Sequence, residues 1–361
     1  MPPDEPATAE CWFLDVGQGT SNVILLGGGR GIVIDCGPRS TNVPLTLLKR
    51  YVHTIEVMIL SHNDEDHDGG ATRIIQAYPK AIKQVFFLAD RPAKFLKAFT
   101  LLRRERVAGN LLSEPQRLEA NERPQSLYSE PDGSIDLRLL YPTFMEAQAA
   151  ETLGGRRPNA TSAILALLCG SRSLIFSGDA TSEAWDAIGK RLAGRLPLSC
   201  DLLTIPHHGG HLTAPTMGET NNQHDTRDQT VANHIYSQIV RPRLAVVSVG
   251  SSNRFRDTFH PLPGTISVLR NLGIETFCTQ MTPRCCDDLE AIRPGLLPPL
   301  SPSRSTGEVR RTNAGRSKDV ACMSSIVAEI SPDRVTISRC SEHRQAVSAA
   351  VAAGSIRPLC R

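Results

Sequence analysis

The 361-residue sequence predicts an α/β fold in which two mixed β-sheets pack face to face and helices cover both outer faces, with a small cysteine-rich appendage after them. Three observations carry this expectation. Short aliphatic and β-branched runs recur between glycine-containing turns, helical stretches separate them, and runs such as VFFLA and LAVVSV are apolar throughout, as strands covered on both faces are. With 40% hydrophobic residues the chain has enough apolar surface to bury a core of this kind.

The elements follow in order. CWFLDV (11–16), SNVILLGG (21–28) and GIVIDCG (31–37) read as strands joined through GQGT and GGRG turns. A helix is expected over 43–53, then the apolar strand IEVMIL (55–60), which runs straight into SHNDEDHDGG (61–70). KQVFFLAD (83–90) is a strand, AKFLKAFTLLRRERVAG (93–109) an amphipathic basic helix, and IDLRLLYP (135–142) a strand. TSAILALLCG (161–170) and SRSLIFSGDA (171–180) form a strand pair, followed by the helix EAWDAIGKRLA (183–193). DLLTIPHHGG (201–210), RLAVVSVGSSN (243–253), a helix near 265–272 and the strand IETFCT (274–279) complete the series. Residues 211–232 are polar without an apolar period and read as an inserted loop. Residues 291–319, rich in Pro, Ser, Gly and Arg, read as a flexible linker. Beyond it SSIVAEI and VTISRC predict a hairpin centred near Ser331, which would set Cys322 beside Cys340 with His343 close behind.

Composition narrows the function. The net charge of +3, its excess lying after residue 283, is too weak for a protein that coats nucleic acid. The acidic N-terminus lacks the basic start of a signal peptide, and no apolar run reaches the length of a membrane span, so a cytoplasmic protein is expected. Six of the ten cysteines (Cys278, Cys285, Cys286, Cys322, Cys340 and Cys360) crowd into the last quarter. In a reducing compartment such a cluster suggests a structural zinc near Cys278, Cys285, Cys322 and Cys340, with free thiols or a stress-induced disulfide as alternatives. Cys11, Cys36, Cys169 and Cys200 are scattered and fit small core residues.

The chemistry concentrates in His62-Asn63-Asp64-Glu65-Asp66-His67, placed after an apolar strand and before Asp68-Gly69-Gly70. Two imidazoles and two carboxylates on one tight loop offer four metal ligands within six residues. Asp179 after SLIFSG, the pair His207 and His208 after DLLTIP, and His260 in FHPLP add further ligand types near the ends of predicted strands. Taken singly, Asp179 reads as a helix cap and His260 as a surface histidine; the ordered series is a rarer coincidence than any member.

The succession LDVGQG, VIDCG, SHNDEDHDGG, NATSAILAL, LIFSGDA, LLTIPHHGG, AVVSVGSSN and HP resembles the metallo-β-lactamase fold over roughly residues 11–282. It is most similar to the branch represented by the C-terminal domain of ComEC-type DNA-uptake proteins. The resemblance implies an αββα sandwich in which His62 and Asp64 serve a first metal, Asp66 and His67 a second, and Asp179 bridges both. His260 would complete the second site. Asn159 stands where many members of the fold place a histidine ligand, one of His207 and His208 would donate a proton or stabilise the transition state, and Asp35 would be a structural aspartate behind the metal loop. Two departures are visible: Thr20 replaces the last acid of the branch's DVGQGD, and Gly-Gly-His-Leu-Thr follows His208 in place of Gly-Ser.

The expectation is therefore a metallohydrolase domain at 1–282 with an insertion at 211–232, followed at 283–361 by the linker and the cysteine-rich hairpin. With Asp64 and Asn159 where the archetype has histidines, the site is rich in oxygen, which favours manganese, with zinc or magnesium as alternatives. Two divalent ions that activate a water, with Asp66 orienting it and His207 or His208 protonating the leaving oxygen, suit phosphodiester hydrolysis and a nuclease acting on DNA. A cyclic or small nucleotide is the alternative substrate; a thiol or lactone hydrolase is another reading, as is a non-catalytic metal-binding subunit of a bacterial defence or stress complex. Lys94, Lys97, Arg103, Arg104 and Arg106 on the basic helix, and Arg304, Arg310, Arg311 and Arg316 in the linker, could contact nucleic-acid phosphates or form a solvated surface.

Overall fold

The computed structural model describes residues 8–88, 92–147, 159–193, 198–251, 254–255, 258–292, 295–298, 320–358 and 360. The first sheet begins with β1 (Ala9–Phe13), β2 (Asn22–Leu25), β3 (Arg30–Ile34), β4 (Thr54–Leu60), β5 (Ile82–Phe87) and β6 (Gln116–Arg117). Between them lie helices α1 (Val43–Tyr51), α2 (Glu65–Asp68), α3 (Ala71–Ala77) and α4 (Pro92–Val107). The second sheet holds β7 (Gln125–Ser129), β8 (Asp136–Tyr141), β9 (Ile164–Cys169), β10 (Arg172–Phe176), β11 (Leu202–Thr204) and β12 (Leu244–Val247). A short pair, β13 (Arg254–Phe255) and β14 (Thr258–Phe259), precedes its last strand, β15 (Glu275–Cys278). Helices α5 (Ser182–Leu192), α6 (Asn221–His234) and α7 (Pro263–Asn271) accompany this half. The chain then adds β16 (Ile326–Ile330), β17 (Val335–Ile337) and α8 (Cys340–Ala352).

Strand alternation explains the layers. In β4, Val57 and Ile59 turn into the inter-sheet core with Phe13, Ile32 and Ile34, opposite Leu137, Leu165, Leu174 and Phe176 of the second sheet. The Phe13 and Phe176 rings meet there with centroids 6.0 Å apart. Met58 and Leu60 face outward against Leu47 and Leu48 of α1 and Ile74 and Ile75 of α3. On the far side Ile175, Leu203 and Ala245 are covered by Trp185 and Ile188 of α5, by Tyr236, and by Ile266 and Leu269 of α7. Two mixed sheets between helical layers are thus the architecture expected. The four scattered cysteines are buried, as expected of core residues.

Two segments differ from expectation. The polar insertion is not all loop: α6, 14 residues long, occupies it from Asn221 onward and continues past its end, started by a capping box between Thr220 and Gln223. Its buried positions are His224, Asp228 and Ala232, so the helical stripe is there at four-residue spacing but is mostly polar, and hydropathy misses it. The C-terminal hairpin is not set apart from the sandwich. β16 pairs antiparallel with β1 through the full length of that strand, and Ile326, Ala328, Ile330, Val335 and Ile337 enter the inter-sheet core. Without this strand the backbone edge of β1 would lie open. Ile330 lies opposite Val335, so the turn is centred beyond Ser331 and the register directs Cys322 toward His343 rather than Cys340. The Cys322 thiol indeed sits 3.3 Å from His343 Nε2, while Cys340 opens α8 and turns to Glu275.

Candidate active site

Segments that leave the ends of β4, β10 and β11 converge with the turn before β9. The loop after β4 is held from behind by the GQG turn. The Thr20 amide donates to the Asp66 carbonyl (3.0 Å), and Gly19, at φ +137°, passes so close that a Cβ there would stand 2.4 Å from that carbonyl oxygen. Three histidines are then locked by one ring nitrogen each. His67 Nδ1–H donates to Asp35 Oδ2 (2.8 Å), and His208 Nδ1–H donates to the Ser248 carbonyl (2.8 Å). His62 Nδ1 lies 3.1 Å from Ser61 Oγ, whose own hydrogen is engaged by Asp35 Oδ2 at 2.7 Å. All three rings therefore turn Nε2 to one place; burial opposes the charge of His67 and His208, yet Asp179, with Asp35 beside the first and Asp66 beside the second, raises the pKa of both.

Asp179 occupies that place. Its Oδ1 is 3.2 Å from His67 Nε2 and 3.8 Å from His208 Nε2, and its Oδ2 is 3.5 Å from His62 Nε2. It does not cap α5, whose N-cap is Thr181; its amide donates to Ser162 Oγ instead (2.9 Å). Asn159 donates to Asp179 Oδ2 at 3.3 Å, and Asp66 Oδ2 stands 3.3 Å from His208 Nε2. Burial opposes the charge of Asp179, yet His67, His62 and His208 hold its carboxyl well below the usual carboxylate range. Asp66 is likewise lowered against its own desolvation by the hydrogen bond from His208 and the charge of His67.

Two features mark the cluster as more than packing. His62 Nε2, His67 Nε2, His208 Nε2, Asn159 Oδ1 and Asp179 Oδ1 are buried and make no hydrogen bond. Leaving five polar atoms unsatisfied in one cluster is costly, and divalent cations bound among them would offset that cost. In addition, four of the eight non-glycine residues with positive φ among the described residues are Asp35, Asn159, His207 and His208. Positive φ is uncommon outside glycine even though Asn, Asp and His enter the region more often than other residues, and such backbone strain concentrates at functional sites.

The ligating atoms of Asp66, His67 and His208 lie within 4.8 Å of one another, as do those of Asp35, His62 and His67. Neither group includes Asp64, which is the N-cap of α2 without a side-chain cap hydrogen bond, or His260. His260 instead stands beside His207, ring centroids 5.5 Å apart; burial, then His207 and His208, drop its pKa to about 3, so its ring is neutral near pH 7. His207 donates Nδ1–H to the His211 carbonyl (3.1 Å). Ser61, Ser162 and the Ser248 carbonyl orient the histidines and were not singled out by the sequence, although Ser61 and Ser162 lie inside the motifs SHNDEDHDGG and NATSAILAL. Of the thiols expected around a zinc, Cys278, Cys285 and Cys322 lie near one another with Cys360, while Cys340 turns to Glu275; among the described residues no group of three ligating side chains within 4.8 Å contains a cysteine. On the basic helix Arg104 pairs with Glu105 and Arg106 with Glu114; the side chains of Lys94 and Lys97, and all of Arg304, Arg310, Arg311 and Arg316, lie outside the described residues. No helix among the described residues is long and apolar enough to cross a membrane.

Residues 15–211 match the model of the metallo-beta-lactamase superfamily. Recombination protein 2 of Haemophilus influenzae is 24% identical over 253 residues, 67% of this chain and 24% of that protein. Competence protein ComA of Neisseria gonorrhoeae is 24% identical over 283 residues, 78% of this chain and 32% of that protein. The chain thus spans about a quarter to a third of the length of these curated relatives. Among solved structures the CmlA beta-hydroxylase E377D mutant superposes with a TM-score of 0.46 at 13% identity, covering 76% of this chain and 53% of that one.

Proposed function

The chain belongs to the metallo-β-lactamase superfamily of metallohydrolases, and from that premise we propose that it is a two-metal phosphodiesterase whose substrate is DNA. The observation that carries the metal reading is that His62, His67, Asn159, Asp179 and His208 each bring a buried polar atom without a hydrogen bond into one cluster. His62, Asp64, Asn159 and Asp179 hold the first ion in this reading. Asp66, His67 and His208 hold the second, with Asp179 shared between the two. This reading sets His208 where His260 was expected, supported by the closeness of its ligating atom to those of Asp66 and His67. Four oxygen-bearing ligands against three imidazoles favour manganese over zinc. Bound there, two divalent ions supply Lewis acidity to a phosphoryl oxygen and lower the pKa of an attacking water.

The remaining work falls to side chains. Asp35, Ser61 and the Ser248 carbonyl engage Nδ1 of each ring, so Nε2 is the nitrogen left to give up its proton to an ion, and Asp66, with about a third of its side chain exposed, reaches the open side of the cluster where a water can be oriented. His207, anchored through Nδ1–H, can carry a proton on Nε2 and deliver it to the leaving oxygen, a step worth typically 10²–10⁴-fold. Likeness to a recombination protein and a competence protein favours DNA over a free nucleotide. The test is a panel of bis-p-nitrophenyl phosphate, linear DNA, cyclic dinucleotides and a lactone, assayed on chelator-stripped protein reloaded with manganese, zinc or magnesium. Manganese-dependent cleavage of the first two, lost in Asp66→Asn, is the expected result. Turnover retained in a clean Asp66→Asn preparation, or hydrolysis of the lactone alone, overturns the reading, and full restoration by zinc alone overturns the metal choice.

A further inference from the structure

We propose that the insertion carries a third divalent-cation site, built by His211, His224 and Asp228, which staples α6 to the loop bearing His207 and His208. The ligating atoms of the three residues lie within 4.8 Å of one another. Each residue has one polar atom anchored by its surroundings. Asp228 Oδ1 accepts from the amides of Leu212 (2.9 Å) and Thr213 (2.8 Å) and from Thr213 Oγ1 (2.8 Å), and Oδ2 is directed to His211 Nδ1 at 3.6 Å. His224 Nε2–H donates to the Thr213 carbonyl at 2.9 Å, which fixes the tautomer with the lone pair on Nδ1. Asp225 takes His211 Nε2 at 3.4 Å, and His211 Nδ1 is buried without a hydrogen-bond partner. A carbonyl behind one ring and a carboxylate behind the other is the arrangement that orients metal-binding histidines and raises their basicity.

Two imidazoles and a carboxylate suit Zn²⁺, Co²⁺, Fe²⁺ or Mn²⁺ better than Mg²⁺ or Ca²⁺. The rings are stacked, centroids 4.1 Å apart and 17° from parallel, and since a ring nitrogen's lone pair lies in the ring plane, two nearly parallel rings do not aim at one ion. Loading therefore turns the His211 ring, the more exposed of the two, out of the stack and toward the ion. The consequence reaches the candidate active site through the chain: the carbonyl of His211, three residues after His208, holds His207, so the staple fixes the group placed as proton donor. The three ligands are distinct from those of the two-metal cluster, and the proposal stands whether or not that cluster hydrolyses DNA.

The full chain, stripped by chelator, is dialysed against Zn²⁺ and bound equivalents are counted by inductively coupled plasma mass spectrometry. The same measurement is made in an Asp66→Asn, Asp179→Asn background. His224→Gln keeps a donor for the Thr213 carbonyl, and Asp228→Asn keeps the oxygen that caps Leu212 and Thr213; far-UV circular dichroism checks that both fold. One equivalent fewer than the parent, in both backgrounds, is expected for either variant. Equal stoichiometry in parent and both folded variants overturns the site. If instead the two-metal reading fails, the parent holds a single equivalent that His224→Gln still removes.

Discussion

Asp35 gives the sharpest test of how the site is built. Its Oδ1 accepts the Ser61 amide (2.8 Å), and its Oδ2 accepts the Ser61 hydroxyl (2.7 Å) and His67 Nδ1–H (2.8 Å). The residue sits at φ +60°, where Asn is tolerated and Ala is not, so Asp35→Asn isolates the carboxylate. Oδ1 keeps its role, but an amide –NH₂ replaces Oδ2 opposite two donors. The Ser61 hydroxyl can rotate and accept. His67 can accept at Nδ1 only by holding its proton on Nε2, the atom beside Asp179 that must release its proton to take an ion. The substitution thus sets hydrogen bonding against metal binding. Loss of one charge-assisted bond and a stranded donor costs about 1.5–3 kcal/mol of stability. Loss of the orienting partner lowers metal affinity about 10–100-fold. Urea unfolding of metal-free protein, followed by the fluorescence of the buried Trp12 and Trp185, reads the first quantity, and competition with a chelator reads the second. Unfolding midpoint and metal affinity both equal to the parent's would refute the claim that Asp35 sets the His67 tautomer.

Other predictions address the surroundings. Gly210→Ala places a Cβ 2.6 Å from His260 Cε1 at a backbone conformation any residue adopts; the crowding costs about 1–3 kcal/mol by urea unfolding and lowers kcat with it, whereas unchanged turnover would remove His260 from the site. Thr220→Ala dissolves the capping box of α6 and costs about 0.5–2 kcal/mol, read as faster amide exchange across 221–224 with little change in β4. A chain ending at residue 298 lacks β16 and β17, leaving β1 as an edge and removing Ile326, Ala328 and Ile330 from the core; aggregation is expected, and a monomer with the parental Tm would restore the view of the hairpin as an appendage.

The sandwich was legible because its strands are apolar on both faces and its helices on one, so burial is written into the local pattern. The loop 62–67 was legible because its ligands are consecutive. Other features were less so. α6 escaped detection because His224 and Asp228 fill positions that hydropathy expects to be apolar, and their partners lie in the segment 211–213, which reads as loop. The hairpin's place escaped because pairing with β1 joins residues more than three hundred apart, and the Cys322–His343 contact depends on a register fixed by the whole strand.

The sequence by itself determined the two sheets, the order of the ligand-bearing turns and the chemistry of the donors, all properties of short segments with a period or a motif. Tertiary structure alone decided which histidine joins Asp66 and His67. His207 and His208 are adjacent in sequence and share a left-handed backbone, yet His208 turns its Nε2 to Asp66 and Asp179, while His207 faces His260. That choice is made by the Ser248 carbonyl for one ring and the His211 carbonyl for the other, acceptors contributed by different segments, and no local pattern encodes where they arrive.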